Sequence, residues 1–360
     1  MKIGICTGGG DCPGLNTAIR AAVKHIRGSF QFEAYGVRDS FNGIMERPIR
    51  VNPLEFEDVT EIFTKGGTIL GTSSSGNPYA DPKTKDKAIK DTLEGLKMAG
   101  LDAMLVIGGE GTQGIAALLS EHGLPLVGIP KTIDNDLPGT DLTIGFSTAA
   151  DVVRDATERL HTTAESHYRV MILEVMGRNS GALALEGGLA GGAHVILLPE
   201  IPFNLEEVSK KIIARKNLGR NFSVVVVAEG AYEVGDKPHF KKTPDEKKVL
   251  GGIGQSLASK IQASTGMETR VTVLGHLQRG GSPNLNDRLL ASRLAVKAID
   301  LIVEKKFGIY LGISEGKIIE HQYKTLDRGA GRAVPLDHDY IDACEKTGIS
   351  LGRSTDFTLP

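Results

Sequence analysis

Residues 131–136 read Lys131-Thr132-Ile133-Asp134-Asn135-Asp136, directly after the apolar run Leu126 to Ile129. Two carboxylates flank an amide, with a cation and a hydroxyl just upstream. Carboxylates so close repel each other unless a metal, a cation or a substrate hydroxyl sits between them. A buried strand that ends in such a cluster delivers it to the C-terminal edge of a sheet, where open α/β proteins bind ligands. An Asx-rich turn with solvated side chains has the same composition, so the hexapeptide alone leaves both readings open.

Three glycine-rich loops offer partners for anions. Thr7-Gly8-Gly9-Gly10-Asp11-Cys12-Pro13-Gly14 follows the first strand-like run, and a helical pattern begins near Asn16. Consecutive glycines let backbone N–H groups approach an anion, and a helix N-terminus adds favourable partial charge. Gly108-Gly109-Glu110-Gly111-Thr112-Gln113-Gly114 repeats this logic with one carboxylate among the glycines. An acid beside phosphate-binding amides implies a bridging divalent cation, so Glu110 points to Mg²⁺; a first-turn helix residue favoured by the dipole would also read this way. The third loop, Lys65-Gly66-Gly67-Thr68 through Thr72-Ser73-Ser74-Ser75-Gly76, either covers a nucleotide or is a surface loop. The spacing of the first loop is not Gly-x-Gly-x-x-Gly, and the chain has no Gly-x-x-x-x-Gly-Lys-Ser/Thr, so that loop is neither a Rossmann fingerprint nor a Walker loop.

Cations recur at the ends of strand-like runs: Arg169, Arg178 after Met176-Gly177, Arg270 after Glu268-Thr269, and Arg279 in Gly275-His276-Leu277-Gln278-Arg279-Gly280-Gly281. The planar guanidinium suits bidentate phosphate binding. His276, so close to Arg279, is placed to hydrogen-bond a phosphate or sugar oxygen.

The elements that must position these residues are short apolar runs alternating with helical patterns. Strands are expected at Ile3 to Cys6, Ala103 to Ile107, Leu126 to Ile129, Val170 to Val175, Val195 to Leu198, Val224 to Ala228 and Val271 to Leu274. Several are apolar at every position, as parallel strands covered on both faces are. Helices are expected at Asn16 to His25, Thr84 to Met98, Thr112 to Glu121, Thr148 to Leu160, Leu205 to Arg215 and Asn286 to Glu304, where apolar residues share one stripe. The alternation predicts an α/β protein with doubly wound, largely parallel sheets.

The 360 residues suit two lobes, each able to bury its own core. Lys and Arg total 42 against 44 Asp and Glu, a balance that argues against nucleic-acid or membrane-surface binding. The three cysteines, Cys6, Cys12 and Cys344, have neither disulfide-framework nor metal spacing. A reducing, cytoplasmic setting is therefore expected, and the N-terminal apolar run is too short for a signal peptide.

Taken in order, these segments resemble the 6-phosphofructokinase family. The resemblance runs over about residues 1–310, from Gly8-Gly9-Gly10-Asp11 through Gly66-Gly67-Thr68, Gly108 to Thr112, Lys131 to Asp136, Thr143-Ile144-Gly145-Phe146, Glu174 to Arg178 and Gly275 to Gly281. It implies two α/β/α sandwich lobes with the active site in the cleft between them. The donor lobe would comprise 1–144 with about 257–308, and the fructose 6-phosphate lobe 145–256 with about 309–360. It implies phosphoryl transfer to O1 of fructose 6-phosphate, with Asp134 as general base, Arg178 near the transferring phosphoryl group, and Thr132 and Asp136 contacting sugar, phosphoryl group or metal water. Gly10, Ser74, Ser75, Gly109, Glu110, Gly111 and Thr112 would hold the donor and Mg²⁺. Met176, Gly177, Arg178, Glu229, His276 and Arg279 would meet the sugar phosphate. Arg169 and Arg270 would reach a neighbouring subunit's site, making the active unit a dimer or tetramer.

Three positions depart from the pattern of ATP-using members, which commonly carry Asp at Glu110, Arg at Ser74 and, in regulated bacterial forms, Gly at Lys131. Lys131 is typical of pyrophosphate-using relatives and of some ATP users. Gly111 pulls toward ATP, because pyrophosphate users place an aspartate where a nucleotide's α-phosphate would lie. The expectation is ATP, with pyrophosphate as the alternative donor and a non-catalytic phosphosugar sensor as the remote one.

Overall fold

Apolar runs without polar alternation must be covered on both sides, and helices drawn from the intervening sequence cover them. The computed structural model describes residues 1–73, 77–242, 248–325 and 331–355. In chain order the first six strands are β1 (Lys2–Gly8), β2 (Glu33–Val37), β3 (Val51–Leu54), β4 (Ala103–Gly108), β5 (Leu126–Thr132) and β6 (Ile144–Gly145). Then come β7 (Val170–Val175), β8 (Val195–Leu197), β9 (Ser223–Ala228), β10 (Phe240–Lys242), β11 (Lys248–Leu250) and β12 (Thr269–Val273). Last are β13 (Ile309–Ser314) and β14 (Lys317–Gln322).

The chain divides into two compact units. One comprises Met1–Ile133, Leu137–Thr148 and Arg279–Gly331; the other comprises Asp134–Asp136, Ala149–Gln278 and Arg332–Pro360. The first unit holds an eight-stranded sheet in the order β14-β13-β5-β4-β1-β2-β3, with β6 paired to β5. Its centre is parallel, and only β3 and β14 run antiparallel to their neighbours. Gly8 pairs with Gly108, and Gly108 with Pro130, so three loops leave the sheet side by side. Helices Leu15–Phe30 and Leu285–Val303 pack against each other.

The second unit has a four-stranded parallel sheet in the order β12-β7-β9-β8. Alternate residues Val170, Ile172, Val225 and Val227 join Val208, Ile212, Leu257 and Ile261 from helices Leu205–Asn217 and Ile253–Thr265 in one core, as the two-residue period of a strand requires. β12 is only partly buried because it is the sheet edge.

The expected strands and helices all form, with ends shifted by a few residues. The two units differ from the expected lobe boundaries in four places, one being residues 145–148, which fall in the first unit. Residues 257–278 belong to the second unit, because β12 pairs with β7. Residues 309–331 belong to the first, because β13 pairs with β5. Asp134–Asp136 cluster with the second unit although β5, just before them, belongs to the first.

Candidate active site

In the first unit the glycine loops and Lys131 gather at the C-terminal ends of β1, β4 and β5. Lys131 is 3% exposed, and its ammonium donates to the carbonyl of Gly10 at 2.6 Å. A Cβ at Gly10 would lie 2.5 Å from Nη1 of Arg279, so the guanidinium lies over the first loop and would have to move aside for a larger residue there. Thr112 is buried, and its side chain fills the space that a Cβ at Gly8 or Gly108 would take. The paired glycines thus let helix Glu110–Glu121 start close to the sheet. Glu110 and Gly111 are exposed in its first turn, and nothing lies within 4 Å of a Cβ built on Gly111. The helix therefore begins two residues earlier than its apolar stripe.

The Lys65–Ser73 stretch is anchored to the first loop. Gly9 N–H donates to the carbonyl of Ser73 at 3.2 Å, and Thr72 Oγ1 donates to the carbonyl of Gly9 at 2.5 Å. Asn16 clamps the other end. Its amide donates to the carbonyls of Lys65 and Gly66, and its oxygen accepts from Ile69 N–H. Ser74 and Ser75 lie outside the described residues. Thr132 accepts from the Thr143 hydroxyl through its carbonyl at 2.7 Å.

Asp287, which sequence reasoning passed over, is fully buried. It accepts from Gly145 N–H and Thr148 N–H at 2.8 Å each and from the Thr148 hydroxyl at 2.5 Å. It holds the turn into helix Phe146–His167 and carries no exposed atom for substrate.

In the second unit the Arg178 guanidinium stands 3.7 Å from the Asp134 carboxylate; Asp134 is almost buried and Arg178 mostly exposed. Arg178 follows Gly177 at the end of β7. Both take positive φ, 133° and 53°, and Arg178 N–H donates to Glu229 Oε1 at 3.1 Å. Burial pushes the Glu229 carboxyl up to about 6, with the charges of Asp134 and Glu174 adding to the effect. Gly230 is required by contact: a Cβ there would lie 2.1 Å from the Arg178 carbonyl oxygen. Met176 N–H donates to the buried Gln278, whose amide donates to the Gly275 carbonyl. Gln278 thus ties β7 to the turn Gly275–Arg279, on which His276 is exposed. Glu174, on β7, holds the N-terminus of helix Ile253–Thr265, accepting from Gly252 and Gly254 N–H at 3.0 and 2.8 Å.

Arg169 and Arg270 sit elsewhere. They flank Glu268 at the N-terminal ends of β7 and β12, Arg169 at 2.8 Å. Six residues of β7 separate Arg169 from the Arg178 loop, roughly 20 Å of extended chain. The same chain does not bring them to Asp134.

Among the described residues no group of three or more His, Cys, Asp or Glu forms a cage for a metal ion. A lone exposed carboxylate, Glu110, fits Mg²⁺, which keeps several waters and is commonly held by one or two carboxylates plus the phosphates of a substrate. No described helix is long and apolar enough to cross a membrane.

Comparison with known proteins accords with this geometry. A protein of Synechocystis named ATP-dependent 6-phosphofructokinase 1 is 46% identical, with 98% of each chain covered. One of Dictyoglomus thermophilum named pyrophosphate–fructose 6-phosphate 1-phosphotransferase is 44% identical, covering 95% of this chain and 97% of that one. The solved phosphofructokinase of Saccharomyces cerevisiae superposes with a TM-score of 0.78 at 29% identity, over 90% of this chain and 45% of the yeast chain, so this chain spans about half its length. The family model described as Phosphofructokinase matches residues 2–302, and with that match and these full-length relatives the chain belongs to the phosphofructokinase family.

Proposed function

We propose that this chain transfers the terminal phosphoryl group of ATP to O1 of D-fructose 6-phosphate, giving fructose 1,6-bisphosphate and ADP. The observation that carries the reading is the Asp134–Arg178 pair beside Glu229. A carboxylate that accepts the proton of the attacking hydroxyl orients the nucleophile. A guanidinium next to it stabilises charge on the transferring group, and such positioning and charge stabilisation supply most of the rate in phosphoryl transfer. Thr132 and Asp136 would bind near the reacting oxygens. Met176, Gly177, Glu229, His276 and Arg279 would hold the sugar phosphate, with Glu229 accepting from a sugar hydroxyl.

The donor would lie on the first unit's loops, against Gly10, Gly109, Glu110, Gly111 and Thr112, and would also meet Ser74 and Ser75, which follow Ser73 in the sequence. Glu110 would hold Mg²⁺, which supplies neutralisation of phosphate charge when bound. The 1–144 and 145–256 stretches would then serve broadly as donor and sugar lobes, with the boundaries of the two units. Arg169 and Arg270, remote from their own chain's Asp134, would bind sugar phosphate in a neighbouring subunit of a dimer or tetramer.

Pyrophosphate is the second reading, favoured by the buried Lys131 and by the name of the Dictyoglomus relative. Gly111 weighs against it, since the space around that position is open for a longer donor. The test is a donor comparison with purified protein, Mg²⁺ and fructose 6-phosphate. ATP is expected to give the higher kcat/KM; a preference for pyrophosphate would reverse the donor assignment, and turnover with neither would refute the reading.

A further inference from the structure

The segment Arg332–Val334 is bonded directly to the loop that carries Asp134 and, through Glu200, to the turn that follows Arg178. Arg332 N–H donates to the carbonyl of Asp136 at 2.8 Å. Two residues on, Val334 N–H donates to Glu200 Oε1 at 2.8 Å. The same carboxylate accepts from Gly181 N–H, at 2.9 Å through Oε1 and 3.1 Å through Oε2. Gly181 caps helix Ala182–Ala190 and ends the turn in which Ser180 N–H donates to the Gly177 carbonyl at 2.9 Å. A Cβ at Gly181 would lie 2.6 Å from Glu200 Oε2, so the carboxylate sits directly against the backbone. Val334 is 7% exposed, so the end of the segment that meets Glu200 is buried, whereas Ala333 is exposed.

The loops joined in this way hold uncommon backbone conformations. Asn135 has φ 50°, Gly177 φ 133° and Arg178 φ 53°. Non-glycine residues at positive φ persist where the surroundings over-determine them. Arg178 N–H has its own anchor in Glu229, but the far side of its turn is held at Gly181. Capping of helix Ala182–Ala190 accounts for the Glu200 bonds to Gly181. It does not account for the bond to Val334, which extends the same carboxylate to a segment bonded to Asp136.

We propose that Glu200 is a positioning residue for phosphoryl transfer: with the backbone of Arg332–Val334 it straps the Asp134–Asp136 loop to the Gly177–Gly181 turn, and so sets Arg178 against Asp134. The inference rests on the reading of Asp134 and Arg178 as the reacting pair. It also gives a purpose to part of the C-terminal region, which lies outside the residues 2–302 matched by the family model.

The test is steady-state kinetics of full-length variants. Glu200→Ala should lower kcat by about tenfold or more while leaving KM for ATP within about twofold, the pattern of misplaced groups rather than lost binding. The shape of the pH profile should not move, because Glu200 exchanges no proton with substrate. Glu200→Gln, which keeps an oxygen able to accept one of the two N–H groups, should fall between. Val334→Pro removes the Val334 donor and leaves the Glu200–Gly181 cap intact, so it isolates the strap and should also lower kcat. If Glu200→Ala does not fold, Val334→Pro carries the test alone. Wild-type kcat in Val334→Pro, or a kcat loss in Glu200→Ala that comes with a shifted pH profile, overturns the strap. Asp134→Asn is measured in parallel. Full activity there removes the underlying reading, whereas an inactive Asp134→Asn with a fully active Val334→Pro removes only the strap.

Discussion

The guanidinium of Arg178 lies 3.7 Å from the carboxylate of Asp134, across 44 residues of sequence and from two unrelated loops. One loop ends β5 and the other ends β7. An exposed cation beside a nearly buried anion leaves the cation free to engage a second negative group. A transferring phosphoryl group is such a partner.

Asp134→Asn should keep the fold and substrate affinity but lower kcat by at least about 10²-fold, the range for loss of a general base. Circular dichroism and binding of fructose 6-phosphate check the first part, and turnover the second. Near-normal turnover would remove Asp134 from the mechanism.

Glu229 supplies a pH signature. Its carboxyl is raised from the ordinary 4.5 to about 6, chiefly by burial, so it gains a proton as pH falls through about 6. If the carboxylate binds sugar, KM for fructose 6-phosphate should rise below that pH. The sugar phosphate also titrates near pH 6, so Glu229→Gln is the control: its KM should be higher throughout and lack the Glu229 component. The stability sign is also determined. The folded state binds more protons than the unfolded state between 4.5 and about 6, so this group's contribution is most favourable below that window and declines as pH rises through it. Melting temperature measured against pH should therefore improve in Glu229→Gln above about pH 6 and not below 4.5.

Gly111 tests the donor. The open space there admits a side chain without displacement, so Gly111→Ala should fold and gain up to about 1 kcal/mol of helix stability. Gly111→Asp places a charge where the α-phosphate of ATP is proposed to lie. Two unit charges about 4 Å apart repel by roughly 4 kcal/mol at an effective dielectric near 20, and a fraction of that cuts kcat/KM for ATP tenfold. Pyrophosphate turnover should be unchanged or higher. Unaltered ATP turnover in Gly111→Asp would refute the donor assignment.

Arg169 and Arg270 test assembly. Each changed to Ala should raise KM for fructose 6-phosphate, by loss of a charged hydrogen bond worth roughly 1.5–3 kcal/mol. Mixing Arg270→Ala with Asp134→Asn subunits should create some sites with both residues intact. Activity recovered on subunit exchange supports sites shared between chains, and an active, stable monomer excludes them.

Asp287→Ala should be among the most destabilising single changes in the first unit. It leaves the Gly145 and Thr148 donors buried without their acceptor, at about 1–3 kcal/mol for each unsatisfied group. Denaturant unfolding measures the loss. A midpoint unchanged from wild type would show that water or relaxation replaces the carboxylate.

Apolar runs, glycine loops and charged strand ends are local properties, and the sequence by itself determined them. A chain that reads Ala103 to Ile107 without a polar break has to bury both faces, and consecutive glycines after such a run have to form a tight, donor-rich loop. Glu229 stood out only through the family resemblance, because its raised titration comes chiefly from burial, with smaller contributions from Asp134 and Glu174, all of which the tertiary fold sets. Tertiary structure decided what local pattern does not encode. It assigned Asp134–Asp136 to the second unit, since those bonds come from Arg178 and Arg332. It gave the buried Asp287, Gln278 and Asn16 and the half-buried Glu200 their work as acceptors and clamps, because a polar side chain looks the same in sequence whether its partner is water or, as for Glu200, a backbone amide 134 residues away. It also set Arg169 and Arg270 at the opposite end of β7 from Arg178, since the direction of a strand, and not its composition, determines which edge of the sheet each end reaches.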